Sequence, residues 1–509
     1  MYFTTALPYV NAEPHIGHLY EMVVCDTMAR YWRLREPTFF LTGTDEHGDK
    51  IVRAAASAGI TPREFVDRIS ATFRSTWDTC GISYDHLVRT TSAKHIAVVQ
   101  EMLQRVYDNG DIYFASYGGL YCTGCERYYT EREAVGGNCP DHQRPLEQIE
   151  EENYFFRMSK YQEPWLRHLE ENPETIVPDG YRREVMSLLR DPALGDLCIS
   201  RPKSRLEWGI ELPFDSNFVT YVWFDALFGY VSGLKAEGEE VFEQFWPQVR
   251  HIVGKDIIKP HGVFWPTILM ASGLPVYRQL RVHGFWTRGE SKMSKSLGNV
   301  IRPLDVREQY GIEPFRYFLL REMAYGQDAM FTEDALVTRI NADLANNLGN
   351  LISRVLSMQK KYFGGEVQPI GELSDLDRGL IAAFAGAFEE VPRLTEAMQF
   401  HRGLERLWSA IDAANKYIVE TAPFTLAKQP EQRARVGAIL THLLEVLYAT
   451  ATLLRWFLPE TSARMFALLR VTAPDGIGDT SHWGTTFPAG HSVDAPEGLF
   501  PRIEIPAVG

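Results

Sequence analysis

The first fifty residues restrict the fold more than any other stretch of the chain. A short apolar run from Tyr2 to Val10 leads into the turn-prone Asn11-Ala12-Glu13-Pro14. Apolar residues then recur at helical spacing from Ile16 to Leu34, with Leu19, Val23, Met28 and Tyr31 among them. Glu36-Pro37 stops that helix. Thr38 to Thr42 reads as a fully buried strand, and Gly43-Thr44-Asp45-Glu46-His47-Gly48 as a polar loop before another helix. Strand, helix, strand and glycine-containing loop in this order predict a doubly wound parallel sheet, whose ligands bind at the carboxyl ends of the strands. Asp45 and the loop before His15 both fall past such ends and can face one crevice.

The segment Pro14-His15-Ile16-Gly17-His18 opens the long helix. Two histidines three apart share one face of a first turn. Unpaired N–H groups and the positive end of the helix dipole suit a polyphosphate there. Gly17 has no side chain, so a flat ligand can lie against the backbone. ATP is the predicted occupant. Asp45 has two readings, a substrate contact in the crevice or a cap for the helix after its loop.

At 509 residues the chain exceeds one core, and three or four domains are expected. Lys94 to Tyr107 reads as a helix; from Asp111 short β-like pieces rich in Tyr and Gly mark an insertion. Cys122-Thr123-Gly124-Cys125 is followed after thirteen residues by Cys139-Pro140-Asp141-His142. A single C-x-x-C pair is a common redox motif, but two knuckles at this separation predict one Cys3His zinc site, closed and structural. Cys25, Cys80 and Cys198 read as buried thiols. Parallel-sheet character is expected to return from Phe218 to Phe228. A strand at His251-Ile252-Val253, a helix from His261 to Met270 and a strand from Leu280 to His283 would follow.

Gly289-Glu290-Ser291-Lys292-Met293-Ser294-Lys295-Ser296-Leu297-Gly298-Asn299 is a polar loop with glycines on either side, suited to movement. Lys292 alone is a solvated basic position; next to a nucleotide site the loop reads as a mobile phosphate clamp. Beyond Asp305 the chain is helical. Ile340, Leu344, Leu348, Leu351 and Val355 mark one buried face, with Asn346, Asn350 and Arg354 beside it. Helices are expected around Leu376–Glu390, Arg402–Glu420 and Arg433–Leu458, as a bundle, with an extended tail from Ala473 to Gly509 lying on it.

A net charge of −14 argues against indiscriminate nucleic-acid binding but leaves room for a structured RNA. With no basic stretch before an apolar core at the start, and no run of about eighteen apolar residues, neither a secretory signal nor a spanning helix is expected. The expected setting is the cytoplasm.

His15-Ile16-Gly17-His18 and Lys292-Met293-Ser294-Lys295-Ser296 match the HIGH and KMSKS signatures of the class I aminoacyl-tRNA synthetases. Within that class the chain resembles the methionyl-tRNA synthetase family, from Tyr2 through the bundle. The similar segments are Ala6-Leu7-Pro8-Tyr9, Asp45, Tyr221-Val222-Trp223, Gly254-Lys255-Asp256-Ile257 and His261 through Trp265-Pro266. The resemblance implies a methionine pocket of Ala6, Leu7, Tyr9, Trp223, Ala226, Tyr230, Ile257, His261 and Trp265, with Asp45 on the substrate ammonium. It implies ATP on His15, Gly17, His18, Gly254, Asp256, Lys292, Ser294 and Lys295, of which His15, His18, Lys292 and Lys295 carry the catalysis. Asn350, Arg354, Pro423 and Phe424 would meet the anticodon; Phe424 stands where the family carries Trp, so an aromatic stack is kept and the indole donor lost. Magnesium would accompany the phosphates, although the sequence shows no carboxylate cage for it.

The implied organisation is a nucleotide-binding domain in two halves (1–112 and 216–284) split by a connective insertion with zinc knuckles (113–215). A KMSKS loop and stem-contact region (285–345) and an anticodon-binding bundle with its tail (346–509) follow. The implied reaction joins methionine to ATP as methionyl-adenylate and passes it to the terminal ribose of initiator and elongator methionine tRNAs. A pocket that holds a thioether by shape rejects the one-carbon-shorter homocysteine weakly, so its disposal after activation is expected as well. A monomer is expected. Two rivals remain: a class I synthetase for another amino acid, for which the insertion is too short for an editing domain, and a non-catalytic tRNA-binding relative, against which the intact histidines and lysines stand.

Overall fold

A computed structural model of the chain describes residues 1–122, 127–129, 134–140, 143–192, 194–288, 291–292, 301–488 and 490–504. The chain forms two compact units, one of Met1–Cys25 and Thr38–His283, the other of Asp26–Pro37 and Gly284–Gly509.

The first unit is built on a six-stranded sheet: β1 (Tyr2–Thr5), β2 (Phe39–Thr44), β3 (His86–Arg89), β4 (Ile176–Val177), β5 (Val249–Gly254) and β6 (Gln279–His283). They lie in the order β3-β2-β1-β5-β6-β4, and every neighbouring pair is parallel. β1 is buried along its whole length and β5 almost so, as expected of strands covered on both faces. The helix α1 (Ile16–Arg33) follows β1 and places Arg30 and Arg33 in its last turn, where cations meet the negative end of the dipole. The doubly wound parallel sheet and the helical second part agree with the fold read from the sequence.

Two details differ. The run from Phe218 to Phe228 is no strand of this sheet. Asp215–Thr220 pairs antiparallel with Ser200–Pro202 and Glu211–Leu212 in a separate small sheet, and Val222–Ala226 is helical. A continuous apolar run of this length fits a buried helix as well as a buried strand, and Tyr221, with extended backbone (ψ 141), is where one gives way to the other. The edge strand β4 was not anticipated; two residues are too short for any periodicity. Within the insertion, Ile112–Cys122 pairs antiparallel with Glu147–Phe156 over ten consecutive positions.

In the second unit, Ile340, Leu344, Leu348, Leu351 and Val355 are all buried, as their spacing required. Its long helices are Asn350–Phe363, Asp375–Glu396, Phe400–Thr421 and Arg433–Leu454. Residues 430–454 are long and apolar enough to cross a membrane by composition, although no such run was expected. This helix is instead the centre of the bundle, with 94% of an 18-residue apolar window within it buried. The segment after Ala473 has no helix or long strand among its described residues, and it does lie on the bundle. Arg455 donates to Pro474 O at 2.8 Å, Trp483 Nε1 to His442 Nδ1 at 3.0 Å, and Ile503 N–H to Asn341 Oδ1 at 2.9 Å.

Candidate active site

The strand order fixes where a ligand can enter. β1 has β2 on one side and β5 on the other, and the chain leaves these two neighbours in opposite directions, so a crevice opens beyond the carboxyl ends of β1 and β5. Ala6-Leu7-Pro8-Tyr9 follows β1; Gly254 ends β5 and Lys255–Ile257 makes one 3₁₀ turn after it. The ladder between β1 and β2 runs on into the loops. Asp45 N–H donates to Pro8 O at 3.0 Å and Val10 N–H to Asp45 O at 3.1 Å, so Tyr9 and Asp45 stand opposite each other. Asp45 is nearly buried. The helix after its loop (Asp49–Ala58) has Gly48 at its N-cap and no side-chain cap, which removes the capping reading of Asp45. Neighbouring Glu46 fixes the loop from beneath: its buried carboxylate accepts from Arg89 (2.7 and 2.9 Å), Thr44 (2.6 Å), Ser70 (2.5 Å) and Thr91.

At the head of α1 the two histidines cap the helix themselves. Leu19 N–H donates to His15 O at 3.1 Å, which makes His15 the N-cap. Its ring Nδ1 accepts from Gly17 N–H at 3.0 Å, while His18 Nδ1 accepts from His15 N–H at 3.2 Å. This is the reciprocal pattern of a capping box, written with imidazoles. The rings stack 3.9 Å apart, and a Cβ on Gly17 would stand 2.9 Å from His15 Cε1, so a larger residue at 17 would push the His15 ring aside. Because each Nδ1 is an acceptor, the proton of each neutral imidazole sits on Nε2.

The aromatic residues expected around the methionine side chain form one cluster. Tyr230, His261 and Trp265 are buried, Trp223 is half-buried, and Trp223 meets His261 edge-on with ring centres 6.3 Å apart. Tyr230 and His261 rings lie 5.8 Å apart, Tyr230 and Trp265 6.1 Å. His261 Nδ1–H donates to Ile257 O at 2.9 Å, so its Nε2 accepts the Tyr230 hydroxyl at 2.8 Å. Burial, against the pull of the Ile257 bond and Asp256, pushes His261 down to about 4, and burial raises the Tyr230 phenol well above its usual value. The cluster is therefore uncharged at neutral pH. Ala6, Leu7, Tyr9 and Ile257 are partly exposed beside it, and Ala226 is buried.

Three groups here carry no motif and were not singled out. His251, on β5, is buried; its Nε2 accepts the Trp265 indole N–H at 3.0 Å and its Nδ1 meets Thr4 Oγ1 at 2.7 Å. Asp225, between Trp223 and Ala226, lies between His47 Nδ1 (2.7 Å) and His95 Nε2 (2.6 Å). Arg201 is buried over the rings of Tyr221 and Tyr121, at 4.9 and 5.3 Å, and lines a small open cleft with His47, Gly48 and Val222. Asp225 had one available signal, a carboxylate inside an otherwise apolar run.

Other expected residues stand elsewhere. Lys292 pairs its backbone with Thr287 in a hairpin, while Ser294 and Lys295 lie outside the described residues. Asn350, on a bundle helix, is exposed and Arg354 partly so; Pro423 is buried and Phe424 half-exposed after the left-handed Ala422 (φ 43). Cys122 and Cys139, from separate segments, are buried in one small cluster with Leu120 and Leu146. Gln143 N–H closes a turn on Cys139 O at 2.8 Å. Two thiols converging from two knuckles fit a zinc ion; Cys125 and His142 lie outside the described residues, and no cluster of three ligating side chains occurs among those described.

Residues 1–148 and 142–356 match the family described as tRNA synthetases class I (M), and residues 367–506 the anticodon binding domain of methionyl tRNA ligase. A methionine–tRNA ligase of Deinococcus radiodurans is 46% identical over 99% of this chain and 74% of its own length. One of Bacillus subtilis is 40% identical over 99% and 78%. The solved Mycobacterium tuberculosis methionyl-tRNA synthetase in complex with methionyl-adenylate superposes with a TM-score of 0.93 at 39% identity, over 98% of this chain and 99% of that one.

Proposed function

The chain belongs to the methionyl-tRNA synthetase family of class I, and on that premise we propose how its residues carry out the reaction. It is a methionine–tRNA ligase: it activates methionine with ATP and charges tRNA. The observation that carries this reading for the present chain is the crevice itself, where a buried carboxylate and an uncharged aromatic cluster meet beyond the carboxyl ends of one parallel sheet.

Methionine enters with its ammonium on Asp45 and its thioether among Trp223, Tyr230, His261 and Trp265, with Ala6, Leu7, Tyr9, Ala226 and Ile257 completing the wall. A thioether offers little to hydrogen-bond, so an uncharged aromatic wall suits it, each sulfur–ring contact contributing about 0.3–1.5 kcal/mol. ATP lies over Gly17, Gly254 and Asp256, its phosphates on the Nε2–H donors of His15 and His18 and on Lys292, Ser294 and Lys295, with magnesium. The methionine carboxylate attacks the α-phosphate and the bond to pyrophosphate breaks, leaving methionyl-adenylate. A ribose hydroxyl of the tRNA then attacks the carbonyl and AMP leaves. Both nucleophiles belong to substrates, so the protein's part is positioning and stabilising charge on phosphate oxygens. Asn350, Arg354 and Phe424 contact the anticodon; Pro423, expected to join them, is buried and instead opens the short helix that presents Phe424. Cys122, Cys125, Cys139 and His142 would hold a zinc ion that ties the two knuckles together and takes no part in the reaction.

In this reading residues 1–112 and 216–284 hold the reactants, 113–215 the knuckles, 285–345 the lysine loop and 346–509 the anticodon surface. The enzyme serves initiator and elongator tRNAs as a cytoplasmic monomer, which its sedimentation in solution tests. Methionine-dependent exchange of pyrophosphate into ATP is the decisive experiment for the whole. Exchange with another amino acid and none with methionine would overturn it.

A further inference from the structure

We propose that Asp225 is a positioning residue for methionine, its carboxylate joining the loop that carries Asp45 to the helix that carries Trp223 and Ala226. This rests on the function proposed above and deepens it.

Asp225 has no exposure, and each of its oxygens meets a histidine from a different segment. His47, which contacts Oδ2 at 2.7 Å, stands two positions after Asp45 in the loop past β2. His95, which contacts Oδ1 at 2.6 Å, belongs to the helix Ala93–Asp108. The other ring nitrogen of His95 meets Ser232 Oγ at 2.7 Å, in the helix Gly229–Lys235 that carries Tyr230. Three segments of the methionine site thus converge on one carboxylate: the loop holding the ammonium contact and the two helices holding the side-chain wall.

Burial opposes the charge on Asp225, yet His47 and His95 hold its carboxyl below the usual range. Apolar packing would stabilise this position at least as well, because a buried charge must recover its desolvation cost from its partners. Its surroundings are already apolar: Phe224, Leu227 and Phe228 are all buried. What the carboxylate adds is fixed geometry. Methionine is recognised at two points, and the gain from binding both at once requires the two points to keep their spacing.

The test compares L-methionine with 4-(methylthio)butanoate, the same molecule without its ammonium, measured as KM and Ki in pyrophosphate exchange by the full-length enzyme. In the wild type the ratio of the two constants measures the ammonium contact. Asp225→Asn keeps the shape of the side chain and removes the paired charge. It is expected to reduce that ratio about tenfold, with the KM for ATP within about twofold of wild type. His47→Ala should behave in the same way. His47→Asn, which places an amide N–H where Nδ1–H stood, should restore most of the ratio. A merely structural role would weaken both ligands equally or lower the melting temperature alone; a ratio unchanged in Asp225→Asn and His47→Ala overturns the proposal. If instead the wild type shows no methionine-dependent exchange, the failure lies with the proposed function.

Discussion

Buried titratable groups occur in both units, and they do opposite things. At the sheet ends of the first unit, Asp45, Tyr230, His251 and His261 are buried, with the part-exposed Tyr9, Trp223 and Ile257 beside them. In the bundle of the second unit, Asp377 is fully buried and accepts from Tyr417 at 2.6 Å and from Arg435 at 2.7 and 2.9 Å. Burial opposes its charge, but Arg435, Tyr417 and Ser374 hold its carboxyl well below the usual range. Glu445 accepts from Gly484 N–H at 2.9 Å and Thr486 Oγ1 at 2.6 Å, so it fastens the tail to the bundle. The lesson is that a buried carboxylate identifies a site only where part-exposed side chains adjoin it. Closed on every side, the same chemistry is a fastening.

Substitutions can break this contrast. If it holds, changes at the crevice remove activity and spare stability, and changes in the bundle do the reverse. The largest effect is expected from His18→Asn, which keeps an acceptor for the His15 N–H and removes the ring donor. The adenylation rate should fall about a hundred- to a thousandfold, measured by pyrophosphate exchange, with the melting temperature little changed. A large loss of stability with normal exchange would make His18 a fastening too. Arg435→Ala leaves a buried carboxylate short of its main partner and should cost about 3 kcal/mol of stability in urea unfolding. Its exchange kcat, assayed cold where it remains folded, should match wild type.

Asp45→Ala is next in size. Loss of a charged contact is worth about 1.5–3 kcal/mol, so the KM for methionine should rise by one to two orders of magnitude while that for ATP holds. Equal effects on the two substrates would return Asp45 to a structural role. The smallest effect is the most diagnostic of the bundle. Burial pushes Glu445 up to about 7 from an ordinary value of 4.5. A carboxyl raised on folding favours the protonated folded state, so its contribution is fully present below the ordinary value and is lost as pH rises through about 7. Glu445→Gln keeps both hydrogen bonds without the charge. Its melting temperature should match wild type in acid and exceed it by about 3 °C above pH 7; parallel pH profiles would refute this.

Much of both units was legible because the information is local. The helix start at His15, the strand ends before Ala6 and Asp45, and the buried stripe from Ile340 to Val355 each depend on residues a few positions apart. What could not be read is non-local. The position of the crevice follows from β5 lying beside β1, a pairing of residues about 247 positions apart, as in Thr4 with His251. The partners of Asp225 lie 178 and 130 positions away, and a lone histidine such as His47 or His95 looks the same in any loop or helix. The stretch Val222–Ala226 was misread because side chains of a buried helix and a buried strand obey the same composition. The knuckles lie between: Cys122 and Cys139 are buried in one small cluster, while their two expected companions fall outside the described residues.

The reciprocal cap of His15 and His18 bears on how these positions would behave in a randomised library. Serine, aspartate and asparagine cap a helix at least as well as histidine does, so variants carrying them would express, melt and crystallise like the parent. A library at positions 15 and 18 sorted for folding alone should therefore drift away from histidine and return stable, inactive proteins. Position 17 would be held to glycine only in the members that keep the ring at 15, because a side chain there crowds that ring. Only sorting for growth or adenylation would recover both imidazoles, and the difference between the two sorted pools would give, residue by residue, the part of the motif that chemistry demands.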